Sequence, residues 1–140
     1  MLKFDLNLAQ FFTVAVSNFI LGWLWYSPLL FMRPWVRALG KDPDKLVMSE
    51  ADKKRMPLLF GGALISSFAI SFVLQVLVHS VGAMDFGQGA TLGLLLWLGL
   101  CLPVLLGTLW EGRHGTVILI NLGNYLVVTV IFGGILGAWH

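Results

Sequence analysis

Four runs of about 20 mostly apolar residues dominate the chain, and none of them contains Lys, Arg, Asp or Glu. The runs cover roughly residues 6–26, 57–78, 87–110 and 116–139. A helix that crosses the hydrocarbon core of a bilayer needs about 20 such residues. Polar and apolar residues do not alternate, and isolated strands would leave backbone groups unpaired in lipid. We therefore predict an all-α, polytopic membrane protein with four transmembrane helices in antiparallel hairpins.

The composition supports the same class of protein. Only 11% of the residues are charged, 58% are hydrophobic and the mean hydropathy is +0.86, whereas soluble domains carry about 25% charged residues. A net charge of +2 gives no indication of a nucleic-acid partner. The single cysteine, Cys101, excludes an internal disulfide and is interpreted as a small, unreactive buried side chain. We expect one membrane domain, residues 1–140, without a cofactor or a metal site.

The basic residues predict how the chain is oriented. Segment 29–56 holds seven of the nine, Arg113 lies between the third and fourth runs, and only Lys3 precedes the first run. Because cytoplasmic loops are enriched in Lys and Arg, this segment is expected in the cytoplasm of a bacterium and both termini outside the plasma (inner) membrane. Most of the charge beside the first run follows it rather than precedes it, and no small-residue cleavage site follows, so we interpret it as a retained span and not as a cleaved signal peptide.

Segment 29–56 is expected to contain a short amphipathic helix at the membrane interface. Its apolar residues follow an i, i+3, i+4, i+7 pattern, and Gly40 would end it. The apolar positions are Met32, Trp35, Val36 and Leu39. The candidate lipid contacts are Arg33, Trp35 and Arg37. An ordinary connector that only enforces the topology would show the same pattern, and we favour that interpretation.

A second helix is predicted to begin at Ser49, because Asp52 follows three residues later with Glu50 between them. The sequence leaves open whether this helix runs into the second span or whether Pro57 opens that span.

Small residues at four-residue spacing predict close helix packing in the second, third and fourth runs. The pairs include Gly62 with Ser66, Gly89 with Gly93, and Gly133 with Gly137. A tight bundle is expected, and a homo-oligomer is a hypothesis. Pro103 lies well inside the third run and is expected to bend it.

A polar edge interrupts the fourth run. Asn121 and Asn124 are three residues apart and share a helix face, which Tyr125 borders. An unsatisfied carboxamide in hydrocarbon is costly, so this edge should face protein, with Asn18 as a candidate partner. One interpretation is interhelical hydrogen bonding, worth about 0.6–2 kcal/mol per contact. The other is a polar path or a pocket for a small ligand.

The turn at residues 108–115 holds the other cluster of polar groups. Glu111 is expected to pair with Arg113 or with a base of segment 29–56, and glycines allow a tight turn. Glu111 and His114 are also candidates for acid/base chemistry, but two groups are too few for a metal site. His79 and His140 are expected at the outer surface.

Two stretches stand out together: LGWLWYSPLLF…W at residues 21–35 and WEGR…INLGNY at residues 110–125. They resemble a family of small bacterial four-helix membrane proteins defined only as a domain of unknown function. The basic segment and the LLLWLGL…P run of the third span also fit, so the resemblance covers nearly the whole chain. The matching positions are Trp25, Tyr26, Ser27, Pro28, Trp35, Glu111, Gly112, Arg113, Asn121 and Tyr125.

The resemblance implies a four-helix membrane domain and supplies no activity. In the family pattern an aromatic residue directly follows the glycine of the second stretch, whereas Asn124 intervenes here. Asn124 is therefore interpreted as particular to this chain.

Three hypotheses for function follow. The first is a small-solute pathway or binding pocket between the first and fourth spans, and the second is a structural or accessory subunit. The third, a membrane enzyme acting on lipid at the cytoplasmic face, ranks last. Membrane lipids, a second copy of the chain and an unidentified small molecule are the expected partners. The candidate binding residues are Asn18, Trp25, Tyr26, Glu111, Arg113, Asn121, Asn124 and Tyr125.

Overall fold

The structure is a computed structural model that describes residues 1–139; His140 lies outside the described residues. Four stretches of helix are long and apolar enough to cross a membrane. The predicted fold class, an all-α protein with four candidate transmembrane helices, is confirmed. The helices are α1 (Leu8–Trp25), α2 (Met32–Ala38), α3 (Glu50–Val81), α4 (Phe86–Leu96), α5 (Leu102–Gly107) and α6 (Gly115–Ala138). The third span consists of α4, a π segment (Trp97–Cys101) and α5.

Residues at each end of α1 explain where this helix begins and ends. The side chain of Asn7 accepts hydrogen bonds from the backbone N–H groups of Ala9 and Gln10, which caps the first turn. The helix ends at Trp25. Continuation to Pro28 is disfavoured, because Ser27, the residue before this proline, avoids the helical region.

The predicted helix in segment 29–56 is present as α2. Gly40, two residues after α2 ends, adopts a positive φ of 76°. Val36 is buried, and α2 packs against α6. Arg33 forms an ion pair of 3.0 Å with Asp44, which ties α2 to the loop that follows it.

The second span belongs to α3, which begins before the span and continues through Pro57 as one helix. Ser49 and Asp52 form the predicted capping box at its start. The helix therefore extends out of the apolar stretch at one end, so the basic residues 53–55 lie on its first turns.

The third span is irregular around Pro103. Five residues before α5 adopt π-helical geometry, a common way to insert a bend into a helix. The indole nitrogen of Trp97 in this segment donates to the carbonyl oxygen of Leu122, 2.9 Å away. Cys101 is a free thiol that is partly exposed rather than fully buried. The structure therefore shows a change of helical register just before Pro103.

Helix α6 is the centre of the bundle. Half of the residues in its apolar stretch are buried, against 22% or less in the other three spans. It packs most extensively on α4, where glycines bring the two backbones together. A Cβ on Gly133 would lie 2.6 Å from the carbonyl oxygen of Gly89, and one on Gly93 would overlap the backbone of Thr129. This α4–α6 seam uses two of the predicted small-residue pairs inside a single chain.

Neighbouring spans run antiparallel, so the bundle has two distinct ends. At the terminal end, the side chain of Gln10 donates to the carbonyl oxygen of Trp139 at 2.8 Å. At the opposite end, named the basic end here, Tyr26 contacts Asn121. Segment 29–56 and the turn 108–114 both lie at the basic end, together with eight of the nine basic residues.

Candidate functional site

A cavity of about 600 Å³ lies between α1, α3 and α6, in the half of the bundle toward the basic end. Its wall is mostly apolar and aromatic, with a few polar groups. Ala63 and Ser66 on its α3 side are exposed, so the cavity is open to the surroundings of the bundle. Its lining includes Asn18, Trp23, Tyr26, Phe60, Ala63, Ser66, Ser67, Ile70, Asn124, Tyr125 and Val128.

Asn121, the first residue of the predicted polar edge, is used to join two helices. Its side-chain oxygen accepts a hydrogen bond of 2.7 Å from the hydroxyl of Tyr26. The neighbouring indole of Trp25 donates to the carbonyl oxygen of Ile120 at 3.0 Å. Two hydrogen bonds thus fix the end of α1 to the first turns of α6, and Asn121 does not line the cavity.

Asn124, one turn further along α6, is in a different situation. It lines the cavity, and its side-chain nitrogen is buried without a hydrogen-bond partner. A buried amide left without a partner costs about 1–3 kcal/mol. Tyr125 beside it also lines the cavity and is 37% exposed. The polar edge is therefore divided between a residue that bonds protein and one that borders empty space.

Asn18 lines the same cavity from α1, but the sequence did not identify its partner. Its side-chain nitrogen donates to the hydroxyl of Ser67 on α3 at 3.2 Å, rather than to an asparagine of α6. This pairing agrees with the packing of α1, which is more extensive on α3 than on α6. Asn18 and Asn124 instead face one space from two sides.

Comparison with known families decides the affiliation of the chain. Residues 10–137 match a family described as "Protein of unknown function (DUF1761)". The chain belongs to this family. Both stretches that carried the resemblance lie inside the match, so the predicted family is confirmed. No curated protein and no solved structure matches the chain. DUF1761 membership assigns no activity.

Two charged residues of the DUF1761-like second stretch lie away from the cavity. Glu111 and Arg113 are both exposed and contact each other at 3.4 Å across a turn in which Gly112 has a positive φ of 74°. His114 caps α6 by accepting from the backbone N–H of Thr116 at 3.2 Å. Within residues 1–139, no three His, Cys, Asp or Glu side chains are grouped closely enough to hold a metal ion.

The three candidate lipid contacts of this DUF1761 chain lie on α2. The guanidinium of Arg33 forms an ion pair with Asp44. The ring of Trp35 packs edge-on against Tyr26, with centroids 5.7 Å apart, and Arg37 is exposed. The aromatic pair connects α2 to the cavity wall, which the spacing of Trp35 alone did not predict.

Sequence reasoning missed a second polar network, at the terminal end. Gln75 is fully buried, and its side-chain nitrogen donates to Gln10 at 2.7 Å and to the carbonyl oxygen of Asn7 at 3.0 Å. His79, expected at the surface, is partly buried, and its ring nitrogens lie 3.1 Å from oxygens of Gln10 and Asp5. The sequence did contain a signal for this network, because Gln10 and Gln75 each lie inside an apolar run.

Proposed function

We propose that this multi-pass membrane protein binds a small, mainly apolar molecule in the cavity between α1, α3 and α6, and that Asn124 supplies a hydrogen bond to it. The observation that carries the proposal is the buried nitrogen of Asn124, which has no partner although the residue borders a cavity. Ligand sites typically combine a largely apolar wall, a volume of about 300–1,000 Å³ and a few polar groups that orient the occupant.

The polar groups define what the occupant must offer. A carboxamide carries both a donor and an acceptor, and rotation of its terminal torsion exchanges them. Asn18 brings a second carboxamide to the opposite wall, where Ser67 already takes one of its hydrogens. One hydroxyl or carbonyl group on an otherwise apolar molecule therefore suffices. Trp23, Phe60 and Ile70 provide apolar surface for the remainder.

Blocking the cavity tests the proposal. Ala63 lines the cavity and Ala69 does not, although both are exposed residues of α3. Ala63→Phe should place a ring in the cavity and abolish binding of radiolabelled dodecanol to the protein in phosphatidylcholine nanodiscs. Ala69→Phe is the matched control and should bind dodecanol like the wild type. Equal binding by wild type and Ala63→Phe would contradict the proposal.

A structural or accessory role is the second candidate, and one observation favours it. The hydrogen bonds of Asn121, Trp25 and Asn18 all end on protein groups, so these polar side chains hold helices together. Under this alternative the bundle would lose stability with each of them and would bind no dodecanol. Lipid chemistry through Glu111 and His114 has less support, because neither residue lines the cavity.

We also propose that the basic end faces the cytoplasm of a bacterial cell, so that both termini lie outside the plasma membrane. The support is the clustering of basic residues at one end of the bundle, because the cytoplasmic loops of membrane proteins are enriched in Lys and Arg. A reporter enzyme that works only in the cytoplasm should be inactive when fused after residue 140 and active when inserted near Gly112. The reverse pattern would contradict this orientation.

Self-association is a further part of the proposal. The seam glycines are occupied within the chain, but Gly62 and Ser66 form an exposed small-residue pair on α3, with open space at Gly62. Such a pair supports close approach of a second copy. Crosslinking of a Gly62→Cys variant in membranes should give dimers, whereas monomers alone would contradict the proposal.

A further inference from the structure

A second cavity adjoins the first and differs from it in charge. It has a volume of about 630 Å³ and is formed by the loop after α2 and the first turns of α3. Met56 and Leu59 line both cavities, so the two spaces share a wall. The first lies among the spans and the second lies at the basic end. An elongated molecule in the first cavity would therefore have one end beside the second.

The lining of the second cavity carries three basic and two acidic residues. The basic ones are Lys41, Lys45 and Arg55, and the acidic ones are Asp42 and Asp52. The acidic groups are already engaged by the protein. Asp42 accepts from the backbone N–H of Asp44 at 3.0 Å and lies 3.9 Å from the ammonium of Lys45.

Asp52 is engaged more tightly. Its carboxylate accepts from the hydroxyl of Ser49 at 2.7 Å and from the Ser49 backbone at 3.1 Å. These hydrogen bonds are the main reason why the pKa of Asp52, which precedes the apolar stretch of α3, lies below its ordinary value. The charges of Lys41 and Arg55 lower it further, so both cations act on the same small region.

Lys41 and Arg55 make no ion pair within the part of the chain that the structure describes. Their donors are therefore available to an occupant of the second cavity. An arginine guanidinium binds phosphate or carboxylate in a bidentate manner, and a nearby lysine adds a point charge. An apolar cavity next to two cations without ion pairs suits a molecule that has both an apolar chain and an anionic group.

We propose that the ligand is an anionic amphiphile, with its apolar chain in the first cavity and its phosphate or carboxylate group between Lys41 and Arg55. This inference rests on the proposed function and names the chemical class of its ligand. The same chemistry describes an anionic phospholipid of the bilayer and a free single-chain amphiphile.

The test compares three probes on the full chain in phosphatidylcholine nanodiscs: dodecyl phosphate, dodecanol and inorganic phosphate. Wild type should bind dodecyl phosphate at least about tenfold more tightly than dodecanol, because hydrogen bonds to charged groups are the stronger ones. Inorganic phosphate alone should bind too weakly to measure. The double variant Lys41→Gln with Arg55→Gln should lose the preference for dodecyl phosphate and keep its affinity for dodecanol.

Lys54 provides the matched control, since it is exposed, neighbours Arg55 and lines neither cavity. Lys54→Gln should leave the preference intact, which separates a local contact from a general loss of positive charge. Competition with phosphatidylglycerol in the nanodisc distinguishes the two sources. Displacement of dodecyl phosphate would identify a bilayer lipid, and absence of displacement would identify a free amphiphile.

Two results would overturn the inference in distinguishable ways. If dodecanol and dodecyl phosphate bind equally and the double variant changes nothing, the anionic class is wrong while the cavity remains a binding site. If neither probe binds to the wild type, the proposed function fails together with the inference.

Discussion

The two sides of α6 are built in opposite ways. On the side facing α4, the backbones approach so closely that a Cβ on Gly133 would lie 2.6 Å from a carbonyl oxygen of Gly89. On the side facing α1 and α3, a cavity of about 600 Å³ separates the helices, and a Cβ on its lining residue Gly22 would meet nothing within 4 Å. The same helix therefore combines a dense interface with a loosely packed one.

The difference shows how a small membrane bundle can be both stable and hollow. In lipid there is no hydrophobic gain from bringing apolar helices together, so close packing at small residues has to hold them. The α4–α6 seam supplies that packing. The opposite side relies on separate hydrogen bonds, such as those of Tyr26 and Trp25, which fix the helices at points and leave space between them.

The largest expected effect comes from adding one methyl group to the seam. Gly93→Ala would force a Cβ against the backbone of Thr129 and should destabilise the fold by about 1–3 kcal/mol, the usual cost of overpacking. Gly22→Ala is the matched control and should be neutral or stabilising, because alanine favours a helix and the site is open. Unfolding in mixed micelles measures both. Equal losses would show that the two sides do not differ.

A smaller loss is expected at the hydrogen bond between α1 and α6. Tyr26→Phe removes the donor to Asn121 and should cost about 0.6–2 kcal/mol. Tyr125→Phe removes the same hydroxyl from a residue that lines the cavity, where its hydroxyl bonds no other group of residues 1–139. The stability of Tyr125→Phe should match the wild type. A Tyr125→Phe loss as large as that of Tyr26→Phe would contradict the division of the polar edge.

Apolar run lengths predicted the four spans, because spanning a bilayer imposes a minimum length on every helix. The capping box at Ser49 and the end of α2 before Gly40 were also readable, since they depend on neighbouring residues only. The continuity of α3 through Pro57 was not, because a proline can open a new helix at its first turn or sit inside a continuing one, and the sequence is compatible with both.

For the site, the sequence identified the polar edge but not what each residue of it faces. Asn121 and Asn124 have the same chemistry and lie on the same helix face, yet one meets Tyr26 and the other borders a cavity. That outcome depends on how α1 and α3 cross α6, which no local pattern encodes. The partner of Asn18 was missed for the same reason, because Ser67 is distant in sequence.

The smallest expected effect on stability, and the most direct test of the account, is the replacement of Asn124 by Leu. The free energy of unfolding should stay equal or rise, because the variant removes a buried amide nitrogen that has no partner. Dodecanol affinity in phosphatidylcholine nanodiscs should fall about fivefold, as loss of one hydrogen bond predicts, while dodecane affinity stays unchanged. Asn121→Leu should show the reverse, with reduced stability and normal dodecanol binding. If Asn124→Leu instead lowers stability and leaves dodecanol binding intact, Asn124 holds helices together and the cavity is not its purpose.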